Sequence, residues 1–363
     1  MRNVRLAFGT LVTLTVALSL LAAHGAEARS RKRARVKRSS RVLHSSTPRS
    51  FFVPPLVLSG DASPRDREVG EACLRALGKR RGSVVAMEPR TGRVIALVNP
   101  EVGFFQAYTP CSVFKIVVAI AGLTEGIITP QTIHDCHGGC WTWPGHGPID
   151  LRRALAVSCN PYFEWIGERL GYQKIEHYAR LLGLGEVSGM NLTGECAGRL
   201  PEDVGPERVG HLSSHATGVA TSVVQIAVLL SATINGGIVY QPQIAGPETF
   251  VPKERWRLPQ GTVLAGLRDG FLAAVNEGSA ITAFDPDVVV AGKTGSCSRL
   301  GWFASYVASE QNEMVVVVFL RPGNGHLAST IAGQIYHELY KPTEGGEHAV
   351  TAARPIPESA GGL

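Results

Sequence analysis

Lysine is scarce beyond residue 41, where six lysines stand against twenty arginines. A guanidinium cannot lose its proton, whereas a buried ammonium can, so each retained lysine is a candidate for chemistry. Two of the six have hydroxyls close by in sequence. In Thr109-Pro-Cys-Ser112-Val-Phe-Lys115, Ser112 opens an apolar stretch and Lys115 follows one helical turn later on the same face. Desolvation by that stretch would lower the Lys115 pKa and let its amine take the Ser112 proton, which makes the hydroxyl a nucleophile. A helix N-terminus there would favour negative charge developing nearby. In Ala291-Gly-Lys293-Thr294-Gly295-Ser296, a cation and two hydroxyls among glycines suit an anionic carboxylate, and glycine lets a substrate backbone approach closely. Ser158-Cys-Asn160 sets a hydroxyl and an amide two residues apart. Taken singly, each has an ordinary reading: a helix cap with a surface lysine, a strand terminus, and a cap followed by a turn.

The elements that must position these residues can be read from periodicity. Residues 82–98 read as a hairpin, with two β-branched runs around Pro89-Arg-Thr-Gly92. Residues 113–123 are apolar nearly all round and predict a buried central helix ending near Gly126. Residues 150–170 predict two short helices around the Cys159-Asn-Pro161 break, and 221–234 another apolar helix stopped at Asn235-Gly-Gly237. An amphipathic helix over 264–277, strands at 288–291, 301–308 and 314–321, and a closing helix over 327–340 complete the pattern. Strands at both ends with helices between them predict an α+β fold, an antiparallel β-sheet flanked by helices with an inserted helical subdomain.

In the order S-x-x-K, S-x-N, K-T-G, the three motifs resemble the signature set of penicillin-binding proteins and serine β-lactamases. Over about residues 82–340 the chain resembles the transpeptidase domain of penicillin-binding proteins. The likeness extends to Val85-Ala-Met-Glu-Pro-Arg-Thr-Gly92, Gly145-His-Gly-Pro-Ile-Asp-Leu151, Ala154-Leu-Ala-Val-Ser-Cys-Asn160-Pro-Tyr-Phe163 and Trp302-Phe-Ala-Ser-Tyr306. The resemblance implies a β-lactamase/transpeptidase-like fold over 66–340 and a D,D-transpeptidase acting on D-Ala-D-Ala stem peptides of peptidoglycan. It also implies roles. Ser112 would be the acylated nucleophile and Lys115 its general base. Ser158, helped by Lys293, would relay a proton to the leaving group, and Asn160 would bind the substrate amide. Lys293, Thr294 and Ser296 would hold the terminal carboxylate, with Gly295 among the substrate-binding residues, and the N–H groups of Ser112 and Ser296 would form the oxyanion hole. β-Lactam antibiotics would stall at the acyl stage. No cofactor or metal is implied. Rival readings are a class D-like serine β-lactamase, a D,D-carboxypeptidase and a non-catalytic penicillin sensor; no E-x-x-L-N pattern of the class A kind is found.

Two residues depart from the family. Cys111 stands where glycine usually precedes the nucleophile, and Ser296 replaces a frequent threonine while keeping the hydroxyl. At this length neither a glycosyltransferase domain nor a large N-terminal pedestal is expected within the 363 residues.

Composition bounds the remainder. With 44% hydrophobic and 18% charged residues the chain is too apolar to be disordered. Its net charge of +6 invites a nucleic-acid reading, but residues 29–41 alone carry +8 and 1–28 carry +1, leaving −3 for 42–363. A basic nucleic-acid-binding domain is therefore excluded. Arg2 and Arg5 precede an uncharged run to Ala23 and a small-residue exit, the pattern of a signal peptide, cleaved near Gly25 or Ala28 or kept as an anchor. Export to the periplasm or the outer face of the membrane follows. The 29–41 block reads as a solvated tether able to touch anionic envelope components, within a linker over 29–65; 341–363 reads as a disordered tail.

Seven cysteines are compatible with disulfides but leave at least one thiol without an intramolecular partner. Cys111, Cys159 and Cys297 each adjoin a motif and are expected to pack behind it as small thiols. The segment His134-Asp-Cys136-His137-Gly-Gly-Cys140 does not have a standard ligand spacing, so a local disulfide or plain buried thiols are expected there rather than a metal.

Overall fold

The computed structural model describes residues 54–309 and 314–341. The signal, the basic block and, apart from Lys341, the C-terminal tail lie outside the described residues. In chain order the elements are β1 (Leu56–Val57), α1 (Pro64–Leu77), β2 (Gly82–Met87), β3 (Arg93–Val98) and α2 (Pro100–Gly103). A 3-10 turn, Cys111–Phe114, runs into α3 (Lys115–Thr124), followed by β4 (His134–His137) and β5 (Gly145–Ile149). Then come α4 (Leu151–Ala156), α5 (Asn160–Leu170), α6 (Tyr172–Leu181), α7 (Pro206–His215) and α8 (Val223–Ile234). The chain continues through β6 (Ile238–Tyr240), β7 (Gln243–Ile244), β8 (Glu254–Arg257), α9 (Leu267–Glu277) and a 3-10 turn at Ile281–Ala283. It closes with β9 (Val290–Cys297), β10 (Leu300–Val307), β11 (Val315–Leu320) and α10 (Gly325–Tyr340).

The main sheet has the order β1-β3-β2-β11-β10-β9, with β7 added in parallel beside β3 and every other pairing antiparallel. Its central strands are buried on both faces. Val85, Met87, Val315, Val317 and Phe319 enter one core, with α3, α5 and α8. Val84, Ala86, Val316, Val318 and Leu320 enter the other, with α1 and α10. Burial on both faces is why β11 reads Val-Val-Val-Val-Phe-Leu, an unbroken apolar run without polar alternation. The helical stretch α3–α8 interrupts the sheet strands in sequence, as the α+β reading expects.

The structure departs from the sequence expectations at the linker and at β9. The linker expected through residue 65 already contains folded elements: Leu56 and Val57 pair with Val98 and Leu97, and α1 starts at Pro64 behind a Ser63/Asp66 capping box. The strand expected to stop at residue 291 runs on to Cys297, because all of Val290–Cys297 pairs with β10. The Lys-Thr-Gly-Ser motif is thus inside a strand instead of at its end.

Candidate active site

The Ser112 turn is held from three directions. Cys111 is disulfide-bonded to Cys297 at the end of β9. The Trp302 indole N–H on β10 donates to Thr109 O at 2.9 Å. A Cβ on Gly295 would stand 2.8 Å from Pro110 O and 3.1 Å from Val113 Cγ2, so only glycine lets β9 lie this close to the turn. The two cysteines expected to pack as thiols are therefore a covalent tie. Cys111 adopts a left-handed backbone, φ 52°, which is costly for a residue with a Cβ and which glycine adopts freely. Ser112 follows, half-buried, on the wall of a cavity of about 780 Å³.

Lys115 is fully buried at the start of α3. Its Nζ donates to Asn160 Oδ1 at 2.6 Å and Ser158 O at 2.8 Å, and lies 3.3 Å from Ser158 Oγ. The S-x-x-K and S-x-N motifs therefore meet at one ammonium. Among the described residues Lys115 makes no hydrogen bond to Ser112; the direct contact expected from their spacing gives way to Ser158 and Asn160. Burial lowers its pKa from the usual lysine range to about 7, against the opposing pull of the Cys159, Cys140, Glu164 and Cys136 side chains. Ser158 is presented by a left-handed residue, φ 56°, between α4 and α5, and Asn160 opens α5 with Pro161 next, a position where the missing N–H costs nothing.

On β9, Lys293 is fully buried and donates to Thr294 O at 3.0 Å. Burial, reinforced by the charge of Lys115, drives its pKa well below the lysine range. Thr294 and Ser296 line the same cavity as Ser112, Ser158 and Asn160. Thr294 Oγ1 lies 2.6 Å from Ser279 Oγ, and Ser296 Oγ accepts the Gly325 N–H at 2.7 Å. The Ser112, Thr294 and Ser296 hydroxyls thus share one cavity with Ser158 and Asn160, which both accept from the buried Lys115 amine. A second cavity, about 540 Å³, is lined by Lys79, Arg81, Asn99 and Arg321 among others and presents no serine, cysteine or histidine.

Sequence reasoning missed His215, Ser279 and Trp141, which also line the cavity. His215 Nε2 lies 3.4 Å from Asn160 Nδ2, and burial lowers the His215 pKa, helped by His211 and Lys115. Each is a single residue outside any motif, and only the packing of α7, α9 and the β4–β5 hairpin brings them in. Of the two alternatives expected for the 134–140 segment, the local disulfide is not formed; Cys136 is a buried free thiol and Cys140 a half-buried one.

Residues 82–341 match the penicillin binding protein transpeptidase domain family. Stage V sporulation protein D of Bacillus subtilis is 29% identical over 259 residues, which is 60% of this chain and 40% of that protein. The peptidoglycan D,D-transpeptidase PbpA of Mycobacterium tuberculosis is 24% identical over 339 residues, 74% of this chain and 68% of the relative. The solved structure of M. tuberculosis penicillin-binding protein A as an imipenem acyl-enzyme shares the fold, with a TM-score of 0.65 at 21% identity over 77% of this chain and 78% of that one. Pseudomonas aeruginosa PBP2 does so with a TM-score of 0.68 at 21% identity, over 83% and 81%. The chain spans about two-fifths of the length of the first curated relatives it matches. The family match runs from β2 through α10 and takes in all three motifs, so the chain belongs to the penicillin-binding protein transpeptidase family.

Proposed function

We propose that this chain is a serine D,D-transpeptidase that cross-links peptidoglycan stem peptides ending in D-Ala-D-Ala. The observation that carries the reading is the convergence of Ser158 and Asn160 on the buried Lys115 ammonium, beside a cavity shared with Ser112, Thr294 and Ser296.

A neutral Lys115 amine has two N–H bonds and one lone pair. Asn160 Oδ1 and Ser158 O accept the two N–H bonds, which leaves the lone pair to receive the Ser112 proton. Ser112 Oγ attacks the carbonyl carbon of the penultimate D-Ala, and the backbone N–H groups of Ser112 and Ser296 stabilise the oxyanion. The C–N bond then breaks. Lys115 passes its proton to Ser158 Oγ, and Ser158 gives its own to the departing D-Ala nitrogen. Thr294 and Ser296 hold the terminal carboxylate, with the Lys293 side chain beneath the strand. The amine of a second stem peptide then attacks the acyl carbon, forms the new amide and returns Ser112 Oγ its proton. Water in place of that amine would give carboxypeptidase activity. A β-lactam would acylate Ser112 in the same way and remain attached. Residues 1–28 would export the chain, and the 29–41 block would tether it to anionic envelope material.

The test is product analysis with a D-Ala-D-Ala pentapeptide and an amine acceptor. Free D-Ala together with a cross-linked dimer is expected. Free D-Ala with only the tetrapeptide acid makes the enzyme a carboxypeptidase, and release of neither removes the proposal.

A further inference from the structure

His215, the last residue of α7, lies on the cavity wall with Ser112, Ser158 and Asn160, and the steps proposed for this enzyme make no use of it. Its polar contacts form one chain. Ser214 Oγ stands 2.7 Å from Glu164 Oε1 and 2.5 Å from His215 Nδ1, and His215 Nε2 stands 3.4 Å from Asn160 Nδ2. We propose that His215 is a second general base, one that takes a proton from the ammonium of the acceptor peptide as that nitrogen attacks the acyl-enzyme. The role rests on the transpeptidase reading and adds a residue to its second half.

The donors and acceptors fix the tautomer of the ring. A carboxylate only accepts, so the Ser214 hydroxyl donates to Glu164. Ser214 Oγ then accepts from His215 Nδ1–H, and Nε2 keeps its lone pair. An amide nitrogen only donates, so Asn160 Nδ2 facing Nε2 agrees with this, as does Asn160 Oδ1 facing Lys115. The Nδ2 contact is longer than a good hydrogen bond, and the His215 side chain is 39% exposed. The lone pair is therefore open to a donor that enters beside Asn160. A base held by a third group is the arrangement that activates nucleophiles elsewhere; here Ser214, itself fully buried, connects His215 to Glu164.

The surroundings suit a ring that starts neutral and ends charged. Burial lowers the His215 pKa, helped by His211, stacked on it with ring centroids 4.2 Å apart, and by Lys115 from α3. The ring is thus mostly neutral at pH 7. Once protonated, it has Glu164 Oε1 of α5 3.8 Å from Nδ1, and it closes the C-terminal end of α7, where a cation is favoured. His146, Arg153, Glu277 and His326 are the other titratable groups on the cavity wall.

The proton count asks for such a group. An alkylamine arrives as an ammonium with three N–H bonds, because its pKa in water is close to that of lysine, about 10.4. The new amide keeps one of the three protons. Desolvation in the cavity, beside the Lys115 site, lowers the ammonium pKa toward that of the ring. His215 Nε2 takes the first proton, which leaves an amine whose lone pair forms the bond to the acyl carbon. As the bond from that carbon to Ser112 Oγ breaks, the second proton passes through Ser158 and Lys115 to Ser112 Oγ. The imidazolium then gives its proton to water, and every group is back in its starting state.

The experiment uses the full chain, the D-Ala-D-Ala pentapeptide as donor, and two acceptors in turn at neutral pH. Nα-acetyl-lysine amide presents an ammonium, and hydroxylamine is a nucleophile that is already neutral. The benzylpenicillin adduct on Ser112 reports folding and acylation. His215→Gln should slow transfer to the lysine amine by about 10²-fold, the lower end of what a general base contributes, while hydroxylamine transfer falls by less than about tenfold. Glu164→Gln should move the same ratio in the same direction by a smaller factor. Should His215→Gln form no adduct, His215→Asn reads the same ratio. Equal slowing with both acceptors would make His215 a structural residue and overturn the proposal, and unchanged transfer to the lysine amine would overturn it too. Wild-type chain that forms no Ser112 adduct removes the transpeptidase reading and this role together, whereas an unaltered acceptor ratio on an intact adduct removes only the role of His215.

Discussion

Cys111 and Cys297 are bonded across 186 positions of sequence, joining the residue before Ser112 to the residue after Ser296. The Ser112 turn and the strand proposed to hold the substrate carboxylate therefore cannot separate without breaking a covalent bond. Closing a long loop restricts the unfolded chain, and disulfides of this kind commonly add about 2–4 kcal/mol. Mild reduction should lower the free energy of urea unfolding by about that amount and slow acylation of Ser112. Identical denaturation midpoints with and without reductant would show that the bond does not hold these elements together.

Lys115 must lose a proton to act as proposed, and arginine cannot do so. Lys115→Arg and Lys115→Met should both reduce the rate of penicillin acylation by about 10²–10⁴-fold, the usual contribution of a general base. Circular dichroism would check that the variants fold. An arginine variant within tenfold of wild type would mean that only the positive charge is needed.

The pH dependence follows from the same group. Burial lowers its pKa from 10.5 to about 7, so the amine is mostly protonated and inactive at pH 5 and mostly free at pH 8. Acylation should rise about tenfold per pH unit at the acid end and level off above about pH 7. The groups facing Lys115 are Lys293 and His215, which oppose its charge, and Glu164 with the thiols of Cys136, Cys140 and Cys159, which favour it. A rate that bends only near pH 10 would place Lys115 in an ordinary ammonium state and remove it as the base.

Much of this was legible because the informative residues are contiguous. The hairpin of β2 and β3, the all-apolar α3 and the two helices around Cys159 announce themselves through uninterrupted runs and Gly, Pro or Asn punctuation. The continuation of β9 through Lys-Thr-Gly-Ser did not, since Lys293 and Gly295 have little strand propensity and the segment is held there by pairing with β10. The partner of Cys111 was equally hidden, because it depends on how closely β9 packs on the Ser112 turn, which Gly295 permits. His215 and Ser279 carry no motif and reach the cavity only through tertiary packing. For Lys115, helical spacing suggested Ser112 as its contact, but the chain supplied acceptors from Asn160 at the head of α5 and Ser158 two residues before it.

The central claim is that Ser112 is a nucleophile whose acyl-enzyme persists. The most direct measurement is the intact mass of the protein after exposure to benzylpenicillin, followed over hours, with peptide mapping and Ser112→Ala as the control. One antibiotic adduct per chain, mapped to Ser112, absent from the variant and still present after hours, is the predicted result. No adduct, or one on another residue, would contradict the account; an adduct that disappears within seconds while the antibiotic is consumed would make the chain a hydrolase of β-lactams.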